Sequence, residues 1–337
     1  MINIQREGQD KREISHNNDN CVGCGICSDL CPTSSLTLGP VLPIARGLLE
    51  MDYVRMDENK CVLCGLCSFA CPFNAMEFKI NDNYGKNLVT YPKWNYGTTV
   101  NEEDCIYCGK CELYCPREAI FVKRDLPKLK DLVRGERIKE VDKCITCHIC
   151  EEMCPSEAIT IVTESETGKG KFQTKDIEID SEKCMHCMIC QKVCPENALR
   201  IICTTCMDHE DIDIPTITGD VMLDKEKCIN CSWCENICPS DAIDTKKPFT
   251  GTLLREESKE EDRLCKGESC HACQDVCPCN AITLVDNTIS VNQEVCVLCG
   301  ACEKVCPQEI PRVERTLMKL TNIKSVAWQK ILTSLIE

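Results

Sequence analysis

The chain has 337 residues, a formal charge of −15 and 35 cysteines. About one cysteine in ten residues points to a metal or disulfide scaffold, and an aromatic content of 4% leaves little material for ordinary cores. The acidic balance speaks against nucleic acid and no apolar run reaches membrane-span length, so neither is expected as a partner; a redox partner with a basic docking patch suits the charge, as does a merely solvated acidic surface.

Residues 1–19 are polar and carry no apolar leader segment. They read as an arm or an edge strand, and the protein is expected in a reducing, anaerobic cytoplasm. The run Cys21-Val-Gly-Cys24-Gly-Ile-Cys27-Ser-Asp-Leu-Cys31-Pro32 follows, a C-x2-C-x2-C-x3-C-P pattern of the kind that ligates a [4Fe–4S] cluster. It recurs seven times: at Cys61, Cys64, Cys67 and Cys71; at Cys105, Cys108, Cys111 and Cys115; at Cys144, Cys147, Cys150 and Cys154; at Cys184, Cys187, Cys190 and Cys194; at Cys228, Cys231, Cys234 and Cys238; at Cys265, Cys270, Cys273 and Cys277; and at Cys296, Cys299, Cys302 and Cys306. Every run ends in Cys-Pro. The seventh has two extra residues before Cys270, a loop expected to bulge and still hold a cluster.

The spacing has a physical cause. Cysteines at i, i+3 and i+6 on a tight loop can reach three corners of one cubane, and glycine after the second (Gly25, Gly65, Gly109, Gly300) tolerates unusual φ. Proline after the fourth suits the first turn of a helix, so a short helix is expected after each Cys-Pro. In two-cluster ferredoxins the fourth cysteine reaches across to the other cluster, so runs must interlock in pairs. Zinc favours two separated C-x2-C pairs and a disulfide framework an oxidising compartment; eight such runs favour eight [4Fe–4S] clusters on 32 cysteines, with no catalytic residue.

The expected fold is α+β: four tandem ferredoxin-like modules with small antiparallel sheets and short helices, plus a C-terminal helix. Sequential pairing of runs gives modules over 1–98, 99–174, 175–256 and 257–310 and a helical tail over 311–337. A nested arrangement, one module inserted in another, stays open, because connectors of 18 to 33 residues do not alternate cleanly. Modules this small bury too little apolar surface to stand alone, so folding should be linked to cluster binding and the cluster-free chain largely disordered.

Between the runs, Leu38–Arg55 reads as an insertion, either packed on a neighbour or folded as a flap over its own cluster. Tyr91-Pro-Lys-Trp-Asn-Tyr-Gly97 reads as a linker packed on its own module, a partner anchor being the other choice. Ala158–Ile179, with a turn at Gly168–Gly170, and Ala281–Val291, with Asp286-Asn287, read as hairpins. Cys203, Cys206 and Cys279 read as surplus thiols, although Cys203-Thr-Thr-Cys206 with His209 resembles half a zinc site. His148, His186 and His271 sit inside cysteine loops and are expected to tune potentials rather than ligate. In the tail, Pro311 suits a helix start and Trp328, Ile331, Leu332, Leu335 and Ile336 share one helical face, to cap the last module or meet another subunit.

No dinucleotide or phosphate-binding loop and no hydrolytic constellation is present, so the expected role is electron transfer rather than catalysis. Over residues 17–310 the repeat resembles the 2[4Fe–4S] bacterial ferredoxin family. More narrowly, the eight runs, the length and the Gly39–Tyr53 connector resemble the polyferredoxin-subunit family of tungsten- or molybdenum-dependent formylmethanofuran dehydrogenases of methanogenesis. That resemblance implies a metallopterin subunit, an amidohydrolase-like subunit and a small ferredoxin subunit as partners, heterodisulfide reductase as an electron source, and CO2 reduction as the customer. Under sequential pairing it implies that Cys21, Cys24, Cys27 and Cys71 hold one cluster and Cys61, Cys64, Cys67 and Cys31 its mate. A polyferredoxin of a hydrogenase or heterodisulfide reductase complex, or a free electron reservoir, remains the alternative.

Overall fold

The computed structural model describes residues 3–126, 136–165, 172–202, 217–256, 264–285 and 288–336. Among the described residues antiparallel strand pairs group into an N-terminal, an outer, an inner and a C-terminal module, and their order is nested. In the N-terminal module, strands Asn3–Glu7, Lys11–His16, Met76–Ile80 and Asn83–Tyr84 form one sheet, and Leu36–Leu38 pairs with Val54–Met56. The arm at 1–19 is thus largely sheet: Asn3–Glu7 is an edge strand and Lys11–His16 lies inside.

Next, Gly97–Val100 pairs with Ile243–Lys246, and Ile120–Asp125 with Thr218–Leu223. Runs three and six therefore share an outer module. Between them, Glu136–Lys139 pairs with Leu199–Ile202, and Ile159–Ser165 with Phe172–Ile179, so runs four and five make an inner module inserted into the outer one. The sequential boundary at 174/175 cuts through the paired strands Ile159–Ser165 and Phe172–Ile179, and is corrected. Connector length left pairing undetermined; strand complementarity decides it, as where Val122 of Ile120–Asp125 stands opposite Val221.

The C-terminal module pairs Ile282–Val285 with Thr288–Val291, and Phe249–Arg255 with Pro311–Met318. It therefore overruns 257–310 on both sides. The expected helix from Pro311 is a strand instead, because Arg312 to Thr316 alternates exposed and half-buried positions against the open edge of Phe249–Arg255. Helix is confined to Val326–Thr333, started by the Ser325 hydroxyl, which accepts the Trp328 N–H. Both hairpins read in the sequence form; Gly168–Gly170 and Asp286-Asn287 lie outside the described residues, as do Cys203, Cys206 and His209.

The short helices precede the Cys-Pro step rather than follow it. Each contains the third cysteine, as in Ile26–Asp29 and Leu66–Ala70. The residue after the second cysteine takes a left-handed conformation and turns the chain into that helix. Gly65 does so at φ 81°, where a Cβ would lie 2.7 Å from Phe78; His148, Met188, Ser232 and His271 adopt the same conformation at φ 55–71°. Proline instead opens a turn closed by another left-handed residue, such as Ser34 or Asn74.

The modules share cores. One core joins the N-terminal and C-terminal modules to Ile229 and Trp233 of the outer module. A second joins the inner module to Tyr107 and Cys108 of the outer one. The Leu38–Arg55 connector packs on a neighbour: its helix Val41–Ala45 lies against the C-terminal module, and Arg46 binds Asp275 at 2.7 Å and donates to the Cys270 carbonyl at 2.7 Å. The Tyr91–Gly97 stretch packs internally, Trp94 Nε1 donating to the Phe69 carbonyl and the Tyr96 hydroxyl to the Pro72 carbonyl. The tail returns to the N-terminal module, where Leu320–Thr321 pairs with Lys93–Trp94 and Trp328 stacks at 5.4 Å from Phe69. Among the described residues no helix is long and apolar enough to cross a membrane.

Candidate metal-cluster sites

The fourth cysteine of each run points away from its own loop and into the partner's. One cavity is lined by Cys21, Cys24, Cys27 and Cys71, a second by Cys105, Cys108, Cys111 and Cys238, and a third by Cys144, Cys147, Cys150 and Cys194. The electrostatics of the remaining loops give the same exchange. Cys64, Cys61 and Cys31 act on Cys67; Cys154 and Cys184 on Cys187; Cys115 and Cys228 on Cys231; Cys265 and Cys306 on Cys273; Cys299, Cys296 and Cys277 on Cys302. Numbering the sites by the run that gives three cysteines, sites one and two share the N-terminal module, three and six the outer, four and five the inner, seven and eight the C-terminal.

The donor set fits a polynuclear cluster. Burial first, then neighbouring sulfurs, push the thiols of Cys24, Cys111, Cys150, Cys190 and Cys234 up to about 12. Such a group binds only with a strongly cationic centre to offset thiolate repulsion. None of the 33 cysteines among the described residues is in a disulfide, and no three His, Cys, Asp or Glu side chains there converge tightly enough for a single ion. The sulfurs surround a volume rather than a point.

Backbone N–H groups are already aimed at the sulfurs. The exchanged thiols accept from the residue four positions on: Ser35 to Cys31, Ala119 to Cys115, Ala158 to Cys154, Ala198 to Cys194, Ala242 to Cys238, Ala281 to Cys277 and Ile310 to Cys306, all at 3.2–3.5 Å. In the seventh run the two extra residues are taken up by the single 3-10 turn Gly267–Ser269, and Gly267 N–H donates to Cys265 Sγ at 3.3 Å. The bulge expected there is this turn, and Cys265 stays beside Cys273.

Several residues emerge that motif reading passed over. His16, 1% exposed, lines the first cavity, and neither ring nitrogen has a hydrogen-bond partner; burial lowers its pKa and keeps it neutral. It comes from a strand before the first cysteine, so only the fold brings it in. Basic side chains hold the loop carbonyls: Arg6 donates to Cys61 at 2.6 Å, Arg124 to Cys108 at 2.5 Å, and Arg315 to Cys299 at 2.8 Å. Lys247 donates to Cys296 at 3.2 Å. Arg124 sets its cation beside Cys108, and Arg315 and Lys247 set theirs beside Cys296, offsetting the charge of those sulfurs. Of the histidines named from sequence, His148 pairs with Glu151 at 2.7 Å, with its ring directed to the carboxylate. His186 is 6% exposed and His271 caps Ala272–Asp275.

Three sites from three modules adjoin. Cys24 of site one acts on Cys299 of site eight. Burial first, and then the sulfurs of Cys71 of site one and Cys228 of site six, raise the pKa of Tyr96. Lys247 feels Cys296 and Cys231, of sites eight and six.

Comparison with known proteins finds iron–sulfur families along the cysteine runs. The 4Fe-4S dicluster domain family matches residues 20–75, 60–119 and 143–198, and the 4Fe-4S binding domain family matches 221–244 and 289–312. The chain thus carries repeated 4Fe–4S ferredoxin domains. It is similar to the polyferredoxin protein FwdF of Methanocaldococcus jannaschii, 48% identical over 134 residues, which is 40% of this chain and 38% of that protein. A 45-residue stretch, 13% of this chain and 26% of its relative, is 40% identical to the polyferredoxin-like subunit of an aliphatic sulfonate oxidoreductase of Pyrococcus furiosus. The chain thus spans well under half the length of these curated relatives. In fold it resembles a chain of the formate dehydrogenase–heterodisulfide reductase–formylmethanofuran dehydrogenase complex of Methanospirillum hungatei, with TM-score 0.63 and 24% identity over 99% of this chain and 88% of that one. The dicluster match over 60–119 spans two modules, since run three pairs with run six.

Proposed function

We propose that the 32 run cysteines hold eight [4Fe–4S] clusters and that the chain serves as the electron-transfer subunit of a formylmethanofuran dehydrogenase, supplying electrons for CO2 reduction. The observation that carries the reading is the exchange of fourth cysteines, which leaves no run coordinatively incomplete and gives no site an open iron for substrate. When bound, each cluster supplies one-electron storage at low potential. The chain's own residues fix the spacing of sites, keep water from the junction of sites one, six and eight, and offset thiolate charge with Arg315, Arg124 and Lys247. The identity of the customer is supported by the 48% identical stretch of FwdF; a metallopterin subunit, an amidohydrolase-like subunit, a small ferredoxin subunit and heterodisulfide reductase are the partners this reading names. Purification from native anaerobic extract tests it. About 32 iron and 32 sulfide per chain, coupled EPR signals on reduction and a co-purifying tungsten or molybdenum pterin are expected; nickel in their place assigns the chain to a hydrogenase, and elution alone near 38 kDa to a free reservoir.

A further inference from the structure

The eight exchanged cysteines share their backbone donor but differ two residues further on. Thr33, Ser156, Ser240 and Cys279 place a hydroxyl or thiol 3.7 Å from the Sγ of Cys31, Cys154, Cys238 and Cys277. Ser35 adds a second hydroxyl to Cys31 at 3.1 Å. In the other four runs that position is Phe73, Arg117, Glu196 or Gln308, none with a hydroxyl or thiol to offer. The distribution is not random over the fold. Cys31 belongs to site two, Cys238 to site three, Cys154 to site five and Cys277 to site eight, so at this position each of the four modules has one site with the donor and one without; site six has hydroxyls from other positions instead, Thr98 lying 3.9 Å from Cys228 and Thr245 bonding to Cys234.

An iron-bound thiolate carries no proton, so the hydroxyl or thiol must be the donor. A hydrogen bond to a ligand sulfur withdraws charge from the iron and favours the reduced state. Cys279 is 1% exposed, so its bond is shielded from competing water. Surplus-thiol status therefore understates Cys279, whose position matches that of the three hydroxyls.

We propose that Thr33 with Ser35, Ser156, Ser240 and Cys279 are potential-setting residues, each raising the reduction potential of one site per module and dividing the eight into two sets of four. This rests on reading the run cysteines as cluster ligands. His16, facing site one, lies outside the pattern and acts on a different sulfur environment.

The test uses full-length holoprotein, assayed for iron and sulfide and then titrated reductively under EPR. A variant combining Thr33→Val, Ser35→Ala, Ser156→Ala, Ser240→Ala and Cys279→Ala should move about half of the spin amplitude to more negative potential and leave the rest in place. For the shifted half, the oxidised-to-reduced ratio at fixed potential should change roughly threefold to tenfold, where tenfold is about 59 mV for one electron. Glu196→Ser, at an exposed position, and Gln308→Ser, at a half-buried one, should move sites four and seven the other way; they decide the matter if the first variant loses iron. Curves that superimpose at full iron content, or a uniform shift of the whole curve, overturn the proposal. Iron-free wild type overturns the ligand reading instead, and the assay reveals it before any titration.

Discussion

Two loops of nearly the same sequence have opposite surroundings. Cys21-Val22-Gly23-Cys24 and Cys144-Ile145-Thr146-Cys147 both place a β-branched aliphatic residue after the first cysteine. Val22 is 6% exposed within the core shared by three modules, whereas Ile145 is 59% exposed and Cys147 is open to solvent. The same position sorts other sites: Ile229 and Val297 are buried, Met185 is buried in the inner core, and Val62 is 56% exposed. The apolar residue after the first cysteine is buried where another part of the fold packs over the loop and exposed where none does. Sites one, six and eight form a sheltered junction, whereas Val62 of the second run and Ile145 of the fourth stand exposed.

Removal of iron is the harshest way to break that comparison. Without cations the thiols are left buried beside one another, and burial of small modules does not compensate. Chelated protein should lose most of its amide protection, with the inner module opening first because Cys147 is exposed, and the junction last. Hydrogen exchange during timed chelation reads the order; simultaneous loss everywhere would show that the junction confers no shelter. Cys24→Ser against Cys147→Ser sharpens it further. The second should cost about one eighth of the iron and leave the rest reducible. The first should also weaken the contact between the N-terminal and C-terminal modules, seen as slower reduction of the remainder and a lower Tm.

The sequence made the chemistry legible because a ligand motif is local: seven residues at i, i+3, i+6 spacing need no tertiary knowledge. Ala281–Val291 was legible as a hairpin for the same reason. The nesting was not, since the partner of Ile120–Asp125 lies about a hundred residues on, beyond a whole inserted module, and nothing in either strand names the other. Pro311–Met318 read as helix because Pro311 suits a helix first turn and the sheet edge waiting for the strand is out of sight in the sequence. His16 was invisible for want of any motif, being a strand residue carried to the first site by register alone.

The tail offers a milder perturbation. Leu332 is fully buried, and the helix that carries it lays Trp328 on Phe69 and Tyr91 at 5.4 and 5.6 Å. Leu332→Ala should cost about 3 kcal/mol and release this helix. Exchange should rise in residues 85–97 and stay unchanged in the inner module, which the tail does not touch. Equal change in both would mean the tail stabilises the chain through some route other than this contact.

The smallest effect lies on the junction's surface. Lys304 meets Asp29 at 2.8 Å across the boundary between the C-terminal and N-terminal modules, with both side chains partly solvated. An exposed pair of this kind contributes about 0.5 kcal/mol and less as salt rises, so Lys304→Ala and Asp29→Ala should each lower Tm slightly, and together by less than the sum. Yet Lys304 also lays its stem 3.2 Å from where a Gly25 Cβ would stand, so the alkyl chain covers the loop of site one as well as carrying a charge. Lys304→Met separates the two roles: it keeps the stem and removes the charge. If cover is what shelters the junction, Lys304→Met should retain wild-type chelation kinetics while Lys304→Ala opens site one faster; if the ion pair is what matters, both should open it alike, and only at low salt.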